Sequence, residues 1–526
     1  MKRRDFLRTV APLAATPMLI NGLNVNAMAG SLVLDALAGT AVNNDHVLVI
    51  IQLNGGNDGL NTVIPLDQYT NLNNFRSNIL IKDSKILSLP NYSGTGLHPA
   101  LSGLHNLYKD GMVNIVQGVS YPNPNFSHFR ATDIWMTGAD SKEVLKSGWV
   151  GRFLDTEYPN YPTNYPNTDN PDPIGIQVGS VVQPAFNGPS SNMGIAITST
   201  TSFYNLITGT VDPAPNTPAG HELTYLREVA LKTNAYNNSI KAAAGKATNK
   251  STLYPAGRND LAKQLKIVAQ LIAGGLKTKI YMVSMGGFDT HSAQVDTAAS
   301  ELGSHATLLK NLNDAIFAFQ DDLKLLKVED RVMGMTFSEF GRRIVSNASL
   351  GTDHGAAAPM FIFGAKAKGG MIGSNPTIGS SVTVNDNLPM QYDFRSVYAT
   401  ILEEWFGLQK SDLEKVLLKN YQTLPLIQTS IASQRGYGLP ENAMSQNFPN
   451  PFENYTNITV NFEKGTYALI QLFDMQGRVI KTINDSKLNA GPNTIQIDGS
   501  DIQAGQYVCR LQTNTGNLNR YIVKVR

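Results

Sequence analysis

A continuous apolar run that ends abruptly in a glycine-rich polar turn is the feature that most constrains the fold of this chain. The run is 46–53 (HVLVIIQL), and the turn after it is 54–59 (NGGNDG). A strand that is apolar on both faces must be covered on both faces, which is typical of parallel strands in α/β proteins. The run is therefore predicted to be a buried central strand.

Strand-like and helix-like segments alternate from this run to about residue 435. Further apolar runs predict strands at 112–117, 279–284, 331–336 and 360–363. Apolar residues at helical spacing predict helices at 98–109, 127–137, 301–326 and 392–406. This alternation predicts an α/β fold over residues 30–435, with a doubly wound, mostly parallel sheet. Residues 155–260 are rich in Asn, Pro and Thr and are expected to form an irregular insertion.

Residues 1–29 have the pattern of an export signal. A basic start precedes a moderately apolar stretch and an A-x-A site at Ala27–Ala29. The pair Arg3-Arg4 and the residues after it resemble the twin-arginine signal, which implies the twin-arginine export machinery as a partner. An ordinary secretory signal or a membrane anchor is the alternative, but Pro12 and Pro17 interrupt the apolar stretch. No membrane span is therefore expected in the mature chain.

Residues 446–526 differ from the rest of the chain in their sequence pattern. They are predicted to form a small antiparallel β-sandwich after a linker at 436–445. Short alternating runs are separated by turns that contain Gly and Asn. The motifs 447–452 (NFPNPF), 472–478 (LFDMQGR) and 504–507 (AGQY) resemble the type-A sorting domain of the type IX secretion system. The resemblance implies type IX export in a Bacteroidetes-type bacterium, through the periplasm to the outer-membrane surface or the outside. A generic sandwich that binds carbohydrate or packs on the main domain is the alternative.

Polar residues of the kinds that carry chemistry follow the predicted strands. Ligands bind beyond the carboxyl ends of strands in open α/β sheets, so these side chains are expected to converge. The segments are 54–59 (NGGNDG), 121–130 (YPNPNFSHFR), 286–291 (GGFDTH), 337–342 (FSEFGR) and 351–355 (GTDHG). Carboxylates and imidazoles without cysteine suit Zn²⁺, Mn²⁺ or Ca²⁺. The pattern predicts a divalent metal site, with zinc favoured over manganese or calcium.

Each segment also has a purely structural interpretation. Asp58 would serve in a turn or as a helix cap, and Ser127 or Asp289 would cap the helix that follows it. The sequence has no G-x-G-x-x-G, Walker, H-E-x-x-H or G-x-S-x-G motif. Its single cysteine, Cys509, excludes an internal disulfide and a cysteine-based metal site. The metal interpretation therefore depends on the combination of segments.

The combination resembles the domain of unknown function 1501 family, which lies within the alkaline phosphatase/sulfatase-like superfamily. The resemblance is carried in the family's order by 53–61, 117–130, 287–291, 338–342 and 351–355. It implies an alkaline-phosphatase-like fold with one or two metal ions. The metal ligands that it implies are Asp58, Asp289, His291, Glu339, Asp353 and His354. It further implies Ser127 as a nucleophile at a helix N-terminus, and Arg130 or Arg342 as the group that holds the substrate's anionic oxygens.

Two departures from the superfamily pattern affect these expectations. The usual Asp-His pair is Glu339-Phe340 here, so one nitrogen ligand is missing and a single ion becomes an alternative. No C/S-x-P-x-R motif surrounds Ser127, which argues against a formylglycine sulfatase. The nucleophile stays open because Thr132 and Thr290 are nearby, and His128 is an alternative metal ligand.

Three functions are compatible with these residues. The leading hypothesis is an exported, metal-dependent hydrolase that acts on an anionic phosphate or sulfate ester. The second is a non-catalytic secreted or cell-surface protein that keeps the fold to bind a surface glycan, which the missing histidine favours. A phosphomutase-like transferase is the third. A net charge of +2 and 16% charged residues, without basic runs, argue against a nucleic-acid partner.

Overall fold

The structure is a computed structural model that describes 19–20, 23–24, 45–200, 214–428, 444–445, 447–462, 465–474, 478–513 and 516–525. Its contacts divide the chain into two units, Met1–Gln428 and Thr429–Arg526. Most of the predicted signal peptide, 1–29, and of the predicted linker, 436–445, lies outside the described residues. Within the signal segment, β1 (Leu19–Ile20) pairs with β2 (Leu23–Asn24) in an antiparallel manner.

A nine-stranded sheet forms the centre of the first unit. Its strands, numbered in chain order with the others, are β3 (Val47–Leu53), β7 (Val113–Ser120), β8 (Gly175–Val178), β9 (Ile195–Ile197), β10 (Ile280–Met285), β11 (Val332–Phe337), β14 (Ala358–Phe363), β15 (Gly370–Ile372) and β16 (Tyr392–Asp393). Two small sheets accompany it, one of β4 (Val63–Pro65), β5 (Leu87–Leu89) and β6 (Tyr92–Leu97), the other of β12 (Arg342–Ser346) and β13 (Thr352–His354).

The strand order of the large sheet is β15-β7-β14-β11-β3-β10-β8-β9, with β16 also paired to β7. Only β14 runs antiparallel to its neighbours, and the other pairs are parallel. The register aligns Met285 of β10 with Leu53, and Phe337 of β11 with Gln52. The loops after these three strands therefore leave the same edge of the sheet. The predicted α/β class with a mostly parallel sheet is confirmed.

Helices cover both faces of the sheet. They are α1 (Gly59–Thr62), α2 (Tyr69–Arg76), α3 (Ser102–Lys109), α4 (His128–Thr137), α5 (Trp149–Glu157), α6 (Pro218–Lys246), α7 (Asp260–Ala273), α8 (Ser304–Leu326), α9 (Phe394–Thr400) with a π-helical turn (Ile401–Trp405), and α10 (Lys410–Leu417). Short 3₁₀ turns occupy Leu66–Gln68, Asp83–Lys85, Pro99–Leu101, Pro184–Phe186 and Glu329–Arg331.

Strand β3 is apolar throughout because its two faces enter two different cores. Val49 and Ile51 belong to the core that includes residues of α3, α7 and α8. Leu48 and Ile50 belong to the core that includes residues of α4, α5 and α9. All seven residues of β3 are buried. This two-sided coverage explains why the strand shows no polar alternation in the sequence.

The region predicted as an irregular insertion, 155–260, is more regular than expected. It supplies β8 and β9 at one edge of the sheet, where β8 pairs in parallel with β10. It also contains the whole of the 29-residue helix α6. Strands of four and three residues show too little periodicity to be recognised in sequence, because their stability comes from pairing with a distant strand.

The second unit is an antiparallel β-sandwich. Its strands are β17 (Tyr455–Phe462), β18 (Thr466–Asp474), β19 (Val479–Leu488), β20 (Gly491–Asp498), β21 (Gly505–Thr513) and β22 (Gly516–Lys524). One sheet pairs β17 with β20, and the other has the order β19-β18-β21-β22. Residues of both sheets share one core, which includes Ile458, Leu472 and the fully buried Cys509. Burial raises the pKa of the Cys509 thiol to about 12, as fits a core strand residue.

In the part of the chain that the structure describes, no helix combines the length and the apolar character needed to cross a membrane.

Candidate metal centre

The turn after β3 packs tightly against the loop after β10. A Cβ atom on Gly55 would lie 2.3 Å from the backbone nitrogen of Asp289, and one on Gly56 would lie 2.4 Å from the Phe340 ring. Both glycines also have positive φ angles, +122° and +81°. The glycines of this turn therefore allow the close approach of the loops.

Asp289, His291 and His354 meet where these loops converge. Oδ1 of Asp289 lies 3.1 Å from Nε2 of His291 and 3.1 Å from Nε2 of His354. The two Nε2 atoms are themselves 2.9 Å apart. These side chains are partly exposed, with 45% of Asp289 and 44% of His291 accessible to solvent. The structure thus brings together three of the six predicted metal ligands.

His128, the first residue of α4, joins this group from the other side. Its Nε2 atom lies 3.4 Å from Oδ2 of Asp289. Ligand atoms of His128, Asp289 and His354 all lie within 4.8 Å of one another. The rings of His128 and His354 meet edge to face, with centroids 4.4 Å apart. We call His128, Asp289, His291 and His354 the histidine cluster.

Each imidazole of the histidine cluster is held at Nδ1 by an acceptor. Nδ1 of His354 lies 2.8 Å from the carbonyl oxygen of Phe126, and Nδ1 of His291 lies 3.1 Å from Asp353. Nδ1 of His128 lies 2.9 Å from Glu339, a buried carboxylate that also accepts the backbone N–H of Gly55. Because these acceptors need a proton at Nδ1, each neutral ring presents the lone pair of Nε2 to the centre of the cluster.

Arg342 is fully buried and holds the loops around the histidine cluster together by hydrogen bonds. Its guanidinium donates to the backbone carbonyls of Gly55, Gly56, Phe288 and Thr352. It also donates to Oδ1 of Asp289 at 2.6 Å. Burial of Asp289 opposes its ionisation, but the neighbouring guanidinium of Arg342, with contributions from His354 and His291, outweighs this and lowers its pKa to about 2. Asp289 is therefore a carboxylate at neutral pH.

The pKa of His354 is lowered. Burial is the largest cause, and the positive charge of Arg342 acts in the same direction. The Phe126 carbonyl and Asp289 oppose the shift. The ring is thus in the neutral form that can act as a ligand.

Three predicted ligands have other positions. Asp58 is buried, and both its oxygens accept from Arg76, each at 3.1 Å. Its Oδ2 also accepts from Gln294 at 2.6 Å, and Oδ1 accepts the N–H of Leu60 at the start of α1. The structure therefore gives Asp58 the capping role that was the structural alternative. Glu339 and Asp353 contact Nδ1 of His128 and of His291, and neither belongs to the group of ligand atoms formed by His128, Asp289 and His354.

The predicted catalytic residues differ in whether they lie next to the cluster and in whether other groups already bind them. Ser127 is the exposed N-cap of α4, and its side chain makes no capping hydrogen bond. Its neighbours in sequence, Phe126 and His128, both contact the cluster. Arg130 is occupied by Asp133 and by carbonyls of residues 140, 141 and 143. The hydroxyl of Thr290 donates to Gln294.

Sequence reasoning missed the central position of His128 and the supporting role of Glu339. The signal was present, because Phe340 stands where a histidine is usual and His128 was noted as an alternative ligand. In the structure the Phe340 ring packs against both histidine rings, with its centroid 5.0 Å from that of His128 and 4.5 Å from that of His354. An imidazole from a different segment of the chain thus lies beside the phenylalanine at position 340.

The donor set of the histidine cluster fits a divalent metal. His128, Asp289 and His354 offer ligand atoms close enough together to hold one ion, and His291 adjoins them through Asp289 and His354. Imidazole nitrogens and carboxylates are ligands that zinc accepts. Hydrogen bonds at the far nitrogen of each ring are the usual outer partners of metal-bound histidines. Two facing lone pairs 2.9 Å apart repel each other unless a cation or a proton lies between them. The residues therefore fit one metal ion.

An open cleft of about 480 Å³ adjoins the histidine cluster. His128, Asp289 and Glu339 lie at one side of its lining, together with Asn54 and Gly55. Its other lining residues come from α4 and from the segment before β9, namely Phe129, Thr132, Asp133, Gln183 and Pro184. A ligand larger than a single small anion can therefore reach the cluster.

Comparisons with protein families agree with both resemblances. Residues 228–417 match the family described as Protein of unknown function (DUF1501). Residues 446–525 match the Secretion system C-terminal sorting domain. Both predicted resemblances are confirmed. The sorting domain marks the chain for export to the cell surface or the extracellular space, while the twin-arginine signal stays a prediction. The sequence matches no curated protein.

Solved structures with detectable similarity include superfamily members and a secretion component. A protein in the alkaline phosphatase superfamily from Vibrio parahaemolyticus is 11% identical, with a TM-score of 0.34 over 88% of this chain and 85% of that one. PsFucS1 sulfatase from Pseudoalteromonas sp. is 9% identical, with a TM-score of 0.32 over 89% and 86%. PorZ, a type-IX secretion component of Porphyromonas gingivalis, is 13% identical, with a TM-score of 0.12. The match covers 19% of this chain and only 14% of PorZ.

Proposed function

We propose that the first unit is a metal-dependent hydrolase of phosphate or sulfate esters, which the sorting domain delivers to the cell surface or beyond. The observation that carries the proposal is that the Nε2 atoms of His128, His291 and His354 all lie within 3.4 Å of an oxygen of Asp289, with an acceptor at every Nδ1. A histidine that only stabilises a fold needs no such arrangement of its free nitrogen. An exposed group of this kind beside a cleft is typical of a reactive metal site.

One ion is proposed in place of two. A second ion would need Asp58, but Arg76 and Gln294 already occupy both oxygens of that carboxylate. Phe340 offers no ligand atom, and Glu339 is held by His128 and Gly55. The histidine cluster alone keeps its lone pairs directed to a common centre.

The residues around the cluster have separable roles in this proposal. A bound divalent ion supplies a Lewis acid for the negative charge that develops during ester cleavage. Ser127 is the proposed nucleophile, because its hydroxyl caps nothing and its neighbours in sequence contact the cluster. The N–H groups at the start of α4 favour an anion at the same place. Glu339 and Asp353 hold the rings of His128 and His291 in position.

The test combines metal content with turnover in the full-length chain. We expect one equivalent of metal by elemental analysis, and hydrolysis of an aryl phosphate, phosphodiester or sulfate with added Zn²⁺, Mn²⁺ or Ca²⁺. His354→Gln should lose both metal and turnover, whereas Ser127→Ala should lose turnover and keep the metal. His105→Gln, which changes a histidine bound to the Ser88 carbonyl, is the matched control. Absence of metal and of turnover under every condition would reject the proposal.

A second function has its own supporting observation. Arg342 is buried and Arg130 is engaged by Asp133 and nearby carbonyls, so neither predicted arginine offers a free guanidinium to an anion. This favours a surface protein that binds a ligand through the metal without cleaving it. Bound metal with no turnover of any of the esters, in protein that still binds an anionic glycan, would support this candidate against the hydrolase.

The export route is testable independently of the chemistry. The proposed twin-arginine signal predicts that Arg3→Lys combined with Arg4→Lys keeps the chain in the cytoplasm. Deletion of residues 446–526 should instead stop it in the periplasm, because that segment matches the sorting domain. Cell fractionation of the two variants checks both steps, and normal surface delivery of either one would contradict the corresponding assignment.

A further inference from the structure

The lining of the cleft beside the histidine cluster includes a phenylalanine, Phe129, that the proposed chemistry does not use. Phe129 follows His128 on α4 and lines the cleft, and 91% of its surface is exposed. Single exposed apolar residues are common on protein surfaces, so the exposure of Phe129 matters here because of its place in the cleft. Its position next to a metal-type cluster makes it a surface that a ligand can cover.

Polar side chains with unused hydrogen-bonding groups line the same cleft as Phe129. The side chains of Asn54, Thr132 and Gln183 line the same cleft. Among the described residues, these three side chains make no hydrogen bond, although the backbones of Asn54 and Gln183 do. Amide and hydroxyl groups of this kind both donate and accept. The cleft thus combines one flat apolar face with free neutral polar groups.

We propose that this cleft is a sugar-ring subsite in which Phe129 stacks against a pyranose, so that the esters cleaved at the cluster are sulfated or phosphorylated glycans. The inference rests on the proposed function, because it takes the cluster as the place where the ester binds. A pyranose has an apolar C–H face and hydroxyls at its rim. Phe129 suits the first feature, and Asn54, Thr132 and Gln183 suit the second.

Other ester classes fit the cleft less well. A bare phosphate or a small alkyl ester would leave most of about 480 Å³ and the Phe129 ring uncovered. An apolar chain would cover Phe129 but would remove water from the free side chains of Asn54, Thr132 and Gln183 without replacing its hydrogen bonds. Flat apolar area next to neutral polar groups therefore favours a sugar.

Binding to the metal-free full-length chain separates the subsite from the chemistry. The probes are sulfated hexasaccharides from heparin, chondroitin sulfate and a sulfated galactan, each with its desulfated form, measured by calorimetry. Phe129→Ala should weaken binding of the recognised hexasaccharide about tenfold, while Phe129→Trp should keep it. Leu253→Ala, which removes a 47% exposed apolar side chain outside the cleft lining, is the matched control.

The outcomes distinguish this inference from the proposed function. Phe129-dependent glycan binding supports the subsite, and its occurrence without any ester turnover would count against the hydrolase alone. Turnover of a small aryl ester without binding of any hexasaccharide would overturn the subsite and leave the hydrolase standing. Equal affinities of wild type and Phe129→Ala for a bound hexasaccharide would also overturn it. In the active enzyme, Phe129→Ala should raise KM for the glycan ester and leave that for the aryl ester unchanged.

Discussion

Two groups of histidines and carboxylates lie at the same edge of the central sheet but differ in almost every physical property. The histidine cluster is partly exposed, and its rings present Nε2 to a common centre. A buried polar network lies beside it, made of Arg76, Asp58, Gln294, Asn57, His305 and His98. In this network Arg76 and Gln294 bind Asp58, and Nε2 of His305 lies 2.9 Å from Asn57.

The comparison shows that partners decide the role of a residue more than its type. Asp58 and Asp289 are both aspartates in loops after central strands, but the oxygens of Asp58 are filled by an arginine and an amide in the interior. Burial also lowers the pKa of His98 to about 3 and that of His305 to about 4, so both rings stay neutral inside. The network supports the fold, and the cluster is available for a ligand.

The largest effect on stability is expected when one partner of the buried Arg76–Asp58 ion pair is removed. Arg76→Met leaves the Asp58 carboxylate buried without its cation, which typically costs about 3–5 kcal/mol of folding free energy. The three tryptophans, Trp135, Trp149 and Trp405, all belong to the first unit, so their fluorescence during denaturant unfolding reports on this unit alone. Arg258→Met, at an exposed site, is the control. A loss below about 1 kcal/mol would contradict a structural role for this pair.

The next effect should appear in the cluster without a comparable loss of stability. Asp289→Asn removes the one carboxylate that faces all three imidazoles, and we expect metal affinity to fall at least about a hundredfold, beyond the effect of outer partners. Metal titration in competition with a chelator measures this change. Asp110→Asn, a change of an exposed aspartate, should leave the affinity as it is in the wild type. An unchanged metal affinity in Asp289→Asn would show that Asp289 is not a metal ligand, and the histidine cluster would then no longer differ in this role from the buried network.

The sequence predicted which loops meet at this edge of the sheet better than it predicted the role of each residue in those loops. Apolar runs and strand-end loops located Asp289, His291 and His354 because their position follows from the α/β pattern. Asp58 looked equally suitable, since the partner that occupies it, Arg76, comes from a separate helix and nothing in its spacing reveals the pairing. Phe340 signals in the sequence that a histidine is missing, but the sequence does not decide that His128 takes the central position, because that depends on which side chains meet across loops. Likewise, β8 and β9 become strands only by pairing with the sheet.

The outer partners of the cluster should have an intermediate effect. Glu339→Gln replaces the acceptor at Nδ1 of His128 with a neutral amide, which should lower metal affinity about 10- to 100-fold. The ring is retained, so the loss reports its orientation and basicity and not the number of ligands. Glu414→Gln on α10 provides the surface control. If Glu339→Gln weakened binding as much as Asp289→Asn, Glu339 would have to be counted among the direct ligands.

The effect that is smallest near neutral pH, and grows only as the pH falls, concerns the buried network. Burial is the main cause of the low pKa of His305, Arg342 and Arg76 add to it, and Asp58 opposes it. The unfolded chain, with a histidine pKa near 6.5, therefore binds a proton that the folded chain does not bind until about pH 4. His305 thus makes stability fall as the pH drops from about 6.5 to 4, by up to about 1.4 kcal/mol per pH unit. His305→Gln should flatten the unfolding free energy over that range by this amount, whereas His105→Gln at the surface should not. An unaltered slope in His305→Gln would mean that this ring takes up its proton in the folded state, and the contrast between the two histidine groups would then rest on geometry alone.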